Sequence, residues 1–476
     1  MAAKRRLDGI RHFAASSGLY PLCGRGRIKT DPLFAEMGRA LLAGEGRSGM
    51  ILPTGIATDA TTQYFFKDLV GSGAISSLYD FENAKPLFES VHRSYKFCLL
   101  TLAGRELREP EADFAFFAHD PTDLDRPGVR FALSPNEITL LNPNTGTCPV
   151  FRNRRDAEIT LDIYRRLPVL IREGDSKGNI WNVKFMQGIF NMTSDSGLFH
   201  SRDELEGEGW ALRGNVFRKD GKEMVPLFEA KMIHHFDYRW ATFGQDGNFR
   251  DATFDEKQNP NFVVLPRYWV NKRDVDAKLM GRWDRQSLLA FRNIARSTDV
   301  RTLIATIIPR TAVGHSMPLI ASDGDKFLQG AFTSFVVDYV LRQKLGGTNL
   351  TYNYMQQLPV PTPAAVREKS AWSDVSVLEW IEDRVDWLNV NSVHSGHRQV
   401  RAELDAAFFC LYGLHRDDVD YVMESFPIVK RKDVSEFGDY RTKKEILEVF
   451  DALEESAASG IPYEAWLDKA PNGSNH

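Results

Sequence analysis

Residues 49–55, Gly49-Met50-Ile51-Leu52-Pro53-Thr54-Gly55, decide how the first hundred residues fold. Met50-Ile51-Leu52 is a short apolar run stopped by proline, the pattern of a buried strand. Upstream, Asp31-Pro32 predicts a helix start, with a carboxylate cap and proline at the first helical position. Leu33, Phe34, Met37 and Leu41 follow at helical spacing, and Gly44 and Gly46 end the pattern. Downstream, 61–69 predicts a second helix with Phe65, Phe66 and Leu69 on one side, and 75–81 and 95–102 predict two more strands. Helix, strand, helix, strand, strand is the order of the back half of an α/β sheet. Three strands make a thin sheet for an independent domain.

From Asp113 the texture changes. Short strand-like pieces at 114–118 and 137–141 are separated by Pro and Asn turns, and 155–167 is helical through Ile159, Ile163 and Leu167. Residues 178–251, rich in aromatics, glycine and mixed charge, read as irregular α+β structure. A strong helix pattern runs from 327 to 345, Leu358-Pro359-Val360-Pro361 is extended, and 375–388, 400–412, 417–424 and 443–455 form a helical tail. At about 150 residues per domain, 476 residues allow two to four domains. The expected boundaries are 1–112, 113–365 and 366–476.

The formal net charge is −4, so the whole chain has no polyanion-binding character. Residues 263–347 differ: nine Arg and four Lys stand against seven Asp and no Glu, a net +6. Tyr268, Trp269 and Trp283 interleave with these cations, which suits a nucleic-acid surface as well as a solvated helix face. Cys23, Cys98, Cys148 and Cys410 form no CxxC pair and read as reduced thiols. No apolar run is long enough to span a bilayer. The expectation is a cytoplasmic protein without a membrane partner or a metal site.

Gly24-Arg25-Gly26 and Gly71-Ser72-Gly73 neither follow a strand nor open a helix, so they do not read as nucleotide loops. No P-loop and no serine-hydrolase elbow occurs. Glu229 and Lys231 form a Glu-x-Lys triplet on an apolar run, as in metal-dependent nucleases, with Asp203 or Asp220 as the upstream carboxylate. The adjacent His234 and His235 would point to opposite sides of a strand and read as surface or hydrogen-bonded histidines. Asn142-Pro143-Asn144-Thr145 has the outline of the tetrapeptide with which amino-methyltransferases hold a target amine. It lacks the final aromatic and reads as an Asn-Pro turn.

Taken together, several stretches carry a resemblance: GMILPTG (49–55), ISSLYDF (75–81), Phe88, and 95–102. LNPNTGTCPVFR (141–152), FNMTSDS (190–196), PLFEAKMIHHFDYR (226–239) and ARSTDVRTLIATIIP (295–309) add to it, with 346–358, 404–413 and 417–432. The chain from about Phe13 resembles the later part of an adenine-N6 DNA methyltransferase of the Eco57I-like family, found in restriction-modification and phage-defence systems. The resemblance implies an α/β plus α+β chain in three parts. These are an incomplete Rossmann-like methyltransferase half-sheet, a target-recognition domain and a helical C-terminal region. It places residues 50–53 as the strand after the catalytic motif, and 75–81 and 95–102 as the closing antiparallel pair. Phe88 falls where the family stacks an aromatic on a flipped adenine; an aromatic in the core ahead of a hairpin is the alternative. In the recognition region, Arg296, Arg301, Arg310, His315 and Asn349 are the candidate DNA contacts by residue type.

The family's cofactor loop and Asn-Pro-Pro-Tyr motif lie upstream of the point that matches Phe13. S-adenosylmethionine is therefore expected to serve the whole enzyme and not to be held by this chain alone. Double-stranded DNA is the expected partner, with a separately encoded N-terminal methyltransferase chain as a further one. Two alternatives stand beside this reading: a non-catalytic DNA-binding specificity subunit, and a metal-dependent nuclease using Glu229 and Lys231. Whether the chain is itself an enzyme stays open.

Overall fold

The apolar run at 50–52 is the centre of a strand in the computed structural model, which describes residues 2–244 and 246–469. Two units divide the chain. The first runs to Arg166 and takes in Gln343–Gly346; the second comprises Leu167–Arg342 and the chain from Gly347 onward.

In chain order the first unit holds α1 (Ala2–Ser16), α2 (Thr30–Ala40), β1 (Arg47–Pro53), α3 (Gly55–Thr58), α4 (Gln63–Gly71) and β2 (Ile75–Glu82). It continues with β3 (Lys96–Ala103), β4 (Ala112–Ala118), β5 (Phe131–Leu133), α5 (Pro135–Leu141) and α6 (Arg154–Arg166). Asp31 sits in the first turn of α2 and not at its cap, which is Lys29. Its carboxylate there faces the positive end of the helix dipole. The sheet is five-stranded, in the order β1-β3-β2-β4-β5. β3 is antiparallel to both of its neighbours, and β2 and β4 are parallel. β1, β2 and β4 therefore run one way, while β3 and β5 run the other. Leu78, Leu100 and Phe114, fully buried, stack across the middle strands.

Residues 137–141 are helix, not strand. Ser134 accepts from the Glu137 N–H at 3.3 Å and the Glu137 carboxylate accepts from the Ser134 N–H at 3.0 Å. With Pro135 at the first position, this reciprocal cap starts α5. The expected boundary at 112–113 falls inside this unit because β4 is an inner strand, paired through Phe114 to Leu78 of β2.

The second unit has three sheets and a helical tail. Lys222–Phe228 is central to one sheet, flanked by Trp269–Asn271 and Val216–Lys219, with Ala312–Val313 added in parallel. Ala305–Pro309, Ser287–Phe291, Leu319–Ala321 and Lys184–Met186 form an antiparallel four-stranded sheet. Ala241–Phe243 and Phe249–Asp251 make a hairpin. The long helix expected at 327–345 is two helices, Asp325–Thr333 and Phe335–Arg342. Ser334 is extended between them (ψ 152°), and the freed Phe335 N–H donates to buried Asp405 at 2.8 Å. The tail helices are Val377–Val390, His397–Leu411, Arg416–Glu424, Pro427–Phe437 and Arg441–Ser459. Of these, Pro427–Phe437 was not anticipated, nor was α1. The expected boundary at 365–366 lies within this unit.

Candidate functional site

Ligands of open α/β sheets bind beyond the carboxyl ends of parallel strands. In the first unit those ends belong to β1, β2 and β4, and side chains from all three meet there. Asp80 of β2 is buried and accepts from the Thr54 hydroxyl just past β1, and from the Phe117 N–H of β4 at 3.2 Å. Burial pushes the Asp80 carboxyl above the ordinary range, against the lowering pull of these hydrogen bonds. Phe117 stands at φ +59°, a left-handed conformation that an aromatic residue adopts only under constraint. The β2–β4 register shifts beside it. Its ring lies between two cations, with Lys96 Nζ at 4.5 Å and Arg152 Cζ at 4.6 Å from the centroid. Glu82 bridges Lys96 (2.9 Å) and His119 (3.3 Å). Burial raises its carboxyl, but Lys96 and then His119 bring it below the ordinary range.

Phe88 lies in the loop between β2 and β3 at this same edge, 40% exposed. Its ring meets Phe97 edge-on at 5.0 Å, and Phe97 stacks on Phe81 at 5.5 Å. Phe88 is thus not the core aromatic of the alternative reading. Asp80, Asn83, Phe117 and Arg152 escaped sequence reasoning. Phe117 and Arg152 converge only because of the β4 irregularity, which leaves no mark in local sequence.

In the second unit, Arg296, His315 and Asn349 are exposed. Asn349 bridges to Ile294, and the Asn293 N–H donates to the Ser316 carbonyl at 3.2 Å, so the three positions share one surface region. Arg301 does not join them. It is 7% exposed, and its guanidinium donates to Asp338 at 2.8 Å and to the Thr333 carbonyl at 2.6 Å. This corrects its assignment as a DNA contact, since both its charge and its donors are spent inside the unit. Arg310 is likewise engaged, with Asp276 at 3.2 Å and the Trp283 carbonyl at 2.8 Å.

Glu229 pairs with Lys231 at 3.3 Å, and the Lys231 ammonium sits over the rings of Phe243 and Phe249. Among the described residues no group of three or more His, Cys, Asp or Glu is arranged to hold a metal ion. His235 is buried and hydrogen-bonded, one of the two readings given for the pair, and His234 is half-buried. His235 Nε2 lies 2.8 Å from the Leu303 carbonyl, and burial followed by neighbouring arginines holds both rings neutral, His234 at about 3.

The two Gly-x-Gly pairs do not fit a cofactor loop. Gly24–Gly26 lies in turns between α1 and α2; Gly71 ends α4 and Gly73 turns into β2 at φ +61°. Asn142 is buried past the end of α5, its amide donating to the Thr147 carbonyl at 2.8 Å and accepting from Lys344. It closes a turn and is not presented to an amine.

No protein-family model matches the chain, and no curated protein gives a significant match. Solved structures do. The type IIG restriction endonuclease BpuSI is similar over 97% of this chain and 53% of its own, at 13% identity and a TM-score of 0.31. The Type IIL restriction-modification enzyme MmeI, in complex with DNA, is similar over 84% of this chain and 51% of its own, at 9% identity and a TM-score of 0.38. The ATP-dependent Type ISP restriction-modification enzyme LlaBIII, bound to DNA, is similar over 80% of this chain and 28% of its own, at 10% identity and a TM-score of 0.34. The chain spans about half the length of the first two and less of the third. No helix among the described residues is long and apolar enough to cross a membrane.

Proposed function

We propose that this chain is the C-terminal, DNA-recognising part of a site-specific adenine-N6 DNA methyltransferase of a restriction-modification or phage-defence system. The observation that carries the reading is the exposed Phe88 at the carboxyl edge of β1, β2 and β4, an edge that also carries Lys96 and Arg152 over the ring of Phe117. An exposed aromatic at a strand edge that also carries cations suits a base taken out of the duplex: the ring replaces lost stacking and the cations meet phosphate. Arg296, His315 and Asn349 are the DNA-facing residues of the second unit in this reading.

The open side of β1 supports the same conclusion. Among the described strands β1 has a neighbour on one side only, and its Ile51 is 59% exposed. Phe34 and Met37 of α2, and Leu41 just past its end, are also exposed. An uncovered apolar strand edge invites another strand. We assign it to the N-terminal half of the sheet, which brings S-adenosylmethionine and the amine-binding motif. By itself this chain binds duplex DNA and transfers no methyl group.

Anisotropy titrations of a labelled duplex across salt concentrations test the reading. Affinity falls with a log–log slope of about −0.9 per phosphate contacted. Absence of duplex binding at low salt overturns it, and methyl transfer to DNA by the purified chain alone overturns the division of labour.

A further inference from the structure

We infer that Asn83 is the positioning residue that holds Phe88 at the carboxyl edge of the sheet; the inference rests on the base-stacking reading of Phe88. Asn83 immediately follows β2 and is completely buried. A buried amide is stable only with its hydrogen-bonding groups occupied, and the partners of this one all lie in the loop that carries Phe88. Its Nδ2 donates to the Phe88 carbonyl at 3.0 Å and to the Val91 carbonyl at 2.8 Å. Its Oδ1 accepts from the Phe88 N–H at 3.0 Å. Its own N–H donates to the Tyr95 carbonyl at 3.0 Å, closing the loop just ahead of β3.

One side chain thus grips Phe88 on both sides of its backbone and ties the far half of the loop to the same point. The segment between Asn83 and Tyr95 contains no helix or strand of its own. Without the clamp its ordering would have to be met at the moment of binding. With it, the ring is placed before any base arrives. Asn83 need not touch the base; it acts through the backbone of the residue that does.

The test compares two duplexes, one fully paired and one carrying an unpaired adenine, titrated with the full chain and with variants. The wild-type chain prefers the unpaired adenine, because a base already free of its partner needs little energy to leave the stack. Phe88→Ala reduces that preference about 10-fold, the range of one base–aromatic stack. Asn83→Ala reduces it by a similar factor while its affinity for the paired duplex and its melting temperature stay close to wild type. Asn83→Asp keeps the acceptor for the Phe88 N–H but loses both donations, and falls between; it serves also if the alanine variant does not fold. If Phe88→Ala loses the preference and both Asn83 variants keep it, the positioning role is overturned and the stacking role stands. If the wild-type chain has no preference, or Phe88→Ala retains it, the stacking reading fails and this inference with it. Equal loss on both duplexes in both Asn83 variants overturns the positioning role in favour of a general structural one.

Discussion

The Lys344 ammonium donates to the Asn142 side-chain oxygen and to the Leu141 carbonyl, both at 2.5 Å, inside the first unit. The Tyr164 ring lies 4.6 Å from the same nitrogen. A donor at the carboxyl end of α5 occupies a carbonyl that has no partner within the helix. It also ties Gln343–Gly346 to a unit whose other residues precede it by more than a hundred positions.

Burial alone pushes the Lys344 amine well below its ordinary range. The unfolded chain therefore holds this proton to a higher pH than the folded one. In the window between the lowered folded value and the ordinary 10.5, stability attributable to Lys344 rises with pH. Chemical denaturation of wild type and Lys344→Met at pH 7 and pH 10 should show the difference moving in favour of wild type at the higher pH. A constant difference would mean the two states bind the proton alike.

Arg384 and Glu403 pair at 2.9 Å, both nearly inaccessible to water. Glu403 also accepts from the Trp466 N–H at 2.5 Å. Removing one partner leaves an uncompensated buried charge, so Arg384→Met should cost about 3–5 kcal/mol in urea denaturation. The double variant Arg384→Met/Glu403→Leu should recover part of that loss, because no charge is then buried.

Arg296 and Arg301 make opposite predictions five positions apart. Arg296 is exposed, so Arg296→Ala should weaken duplex binding across sequences and reduce the salt slope by about one, with the melting temperature unchanged. Arg301→Ala removes the ion pair with Asp338 and should lower the melting temperature. Any loss of DNA affinity in Arg301→Ala should follow unfolding. A reversed pattern would place Arg301 at the DNA.

Glu256 takes a two-pronged hydrogen bond from Arg250, at 2.6 and 2.7 Å, and a third from the Thr253 N–H at 2.8 Å. The Arg250 bonds above all, then the capping bond, hold its carboxyl at about 2, below the ordinary 4.5. The stability this supplies is complete above the unfolded value and is lost as pH falls through the folded one. Wild type should therefore lose stability more steeply than Glu256→Gln between pH 4.5 and 2, read by thermal melts along an acid series.

Local pattern carried much of the fold. An apolar run before Pro53, helical spacing of Phe65, Phe66 and Leu69, and the run from Val400 each depend on neighbours within a turn or a strand, and each became the expected element. The failures have physical causes too. Ser334 broke one helix into two because a distant carboxylate, Asp405, was there to take the freed Phe335 N–H. Residues 137–141 turned helical through a cap at Ser134 that the apolar run itself does not contain.

The sequence by itself determined β1 to β4, several of the helices and the presence of Phe88 in a loop before a strand, because those follow from residues close along the chain. Only the tertiary structure decided which cations face outward. Arg296 and Arg301 look alike as letters, and what separates them is Asp338, far along the chain, waiting in the interior. Burial converts one guanidinium into an internal ion pair and leaves the other for solvent. The same holds at the sheet edge. Asn83 became the clamp on Phe88 because the loop folds back over it, and a buried amide must find its partners wherever the backbone brings them.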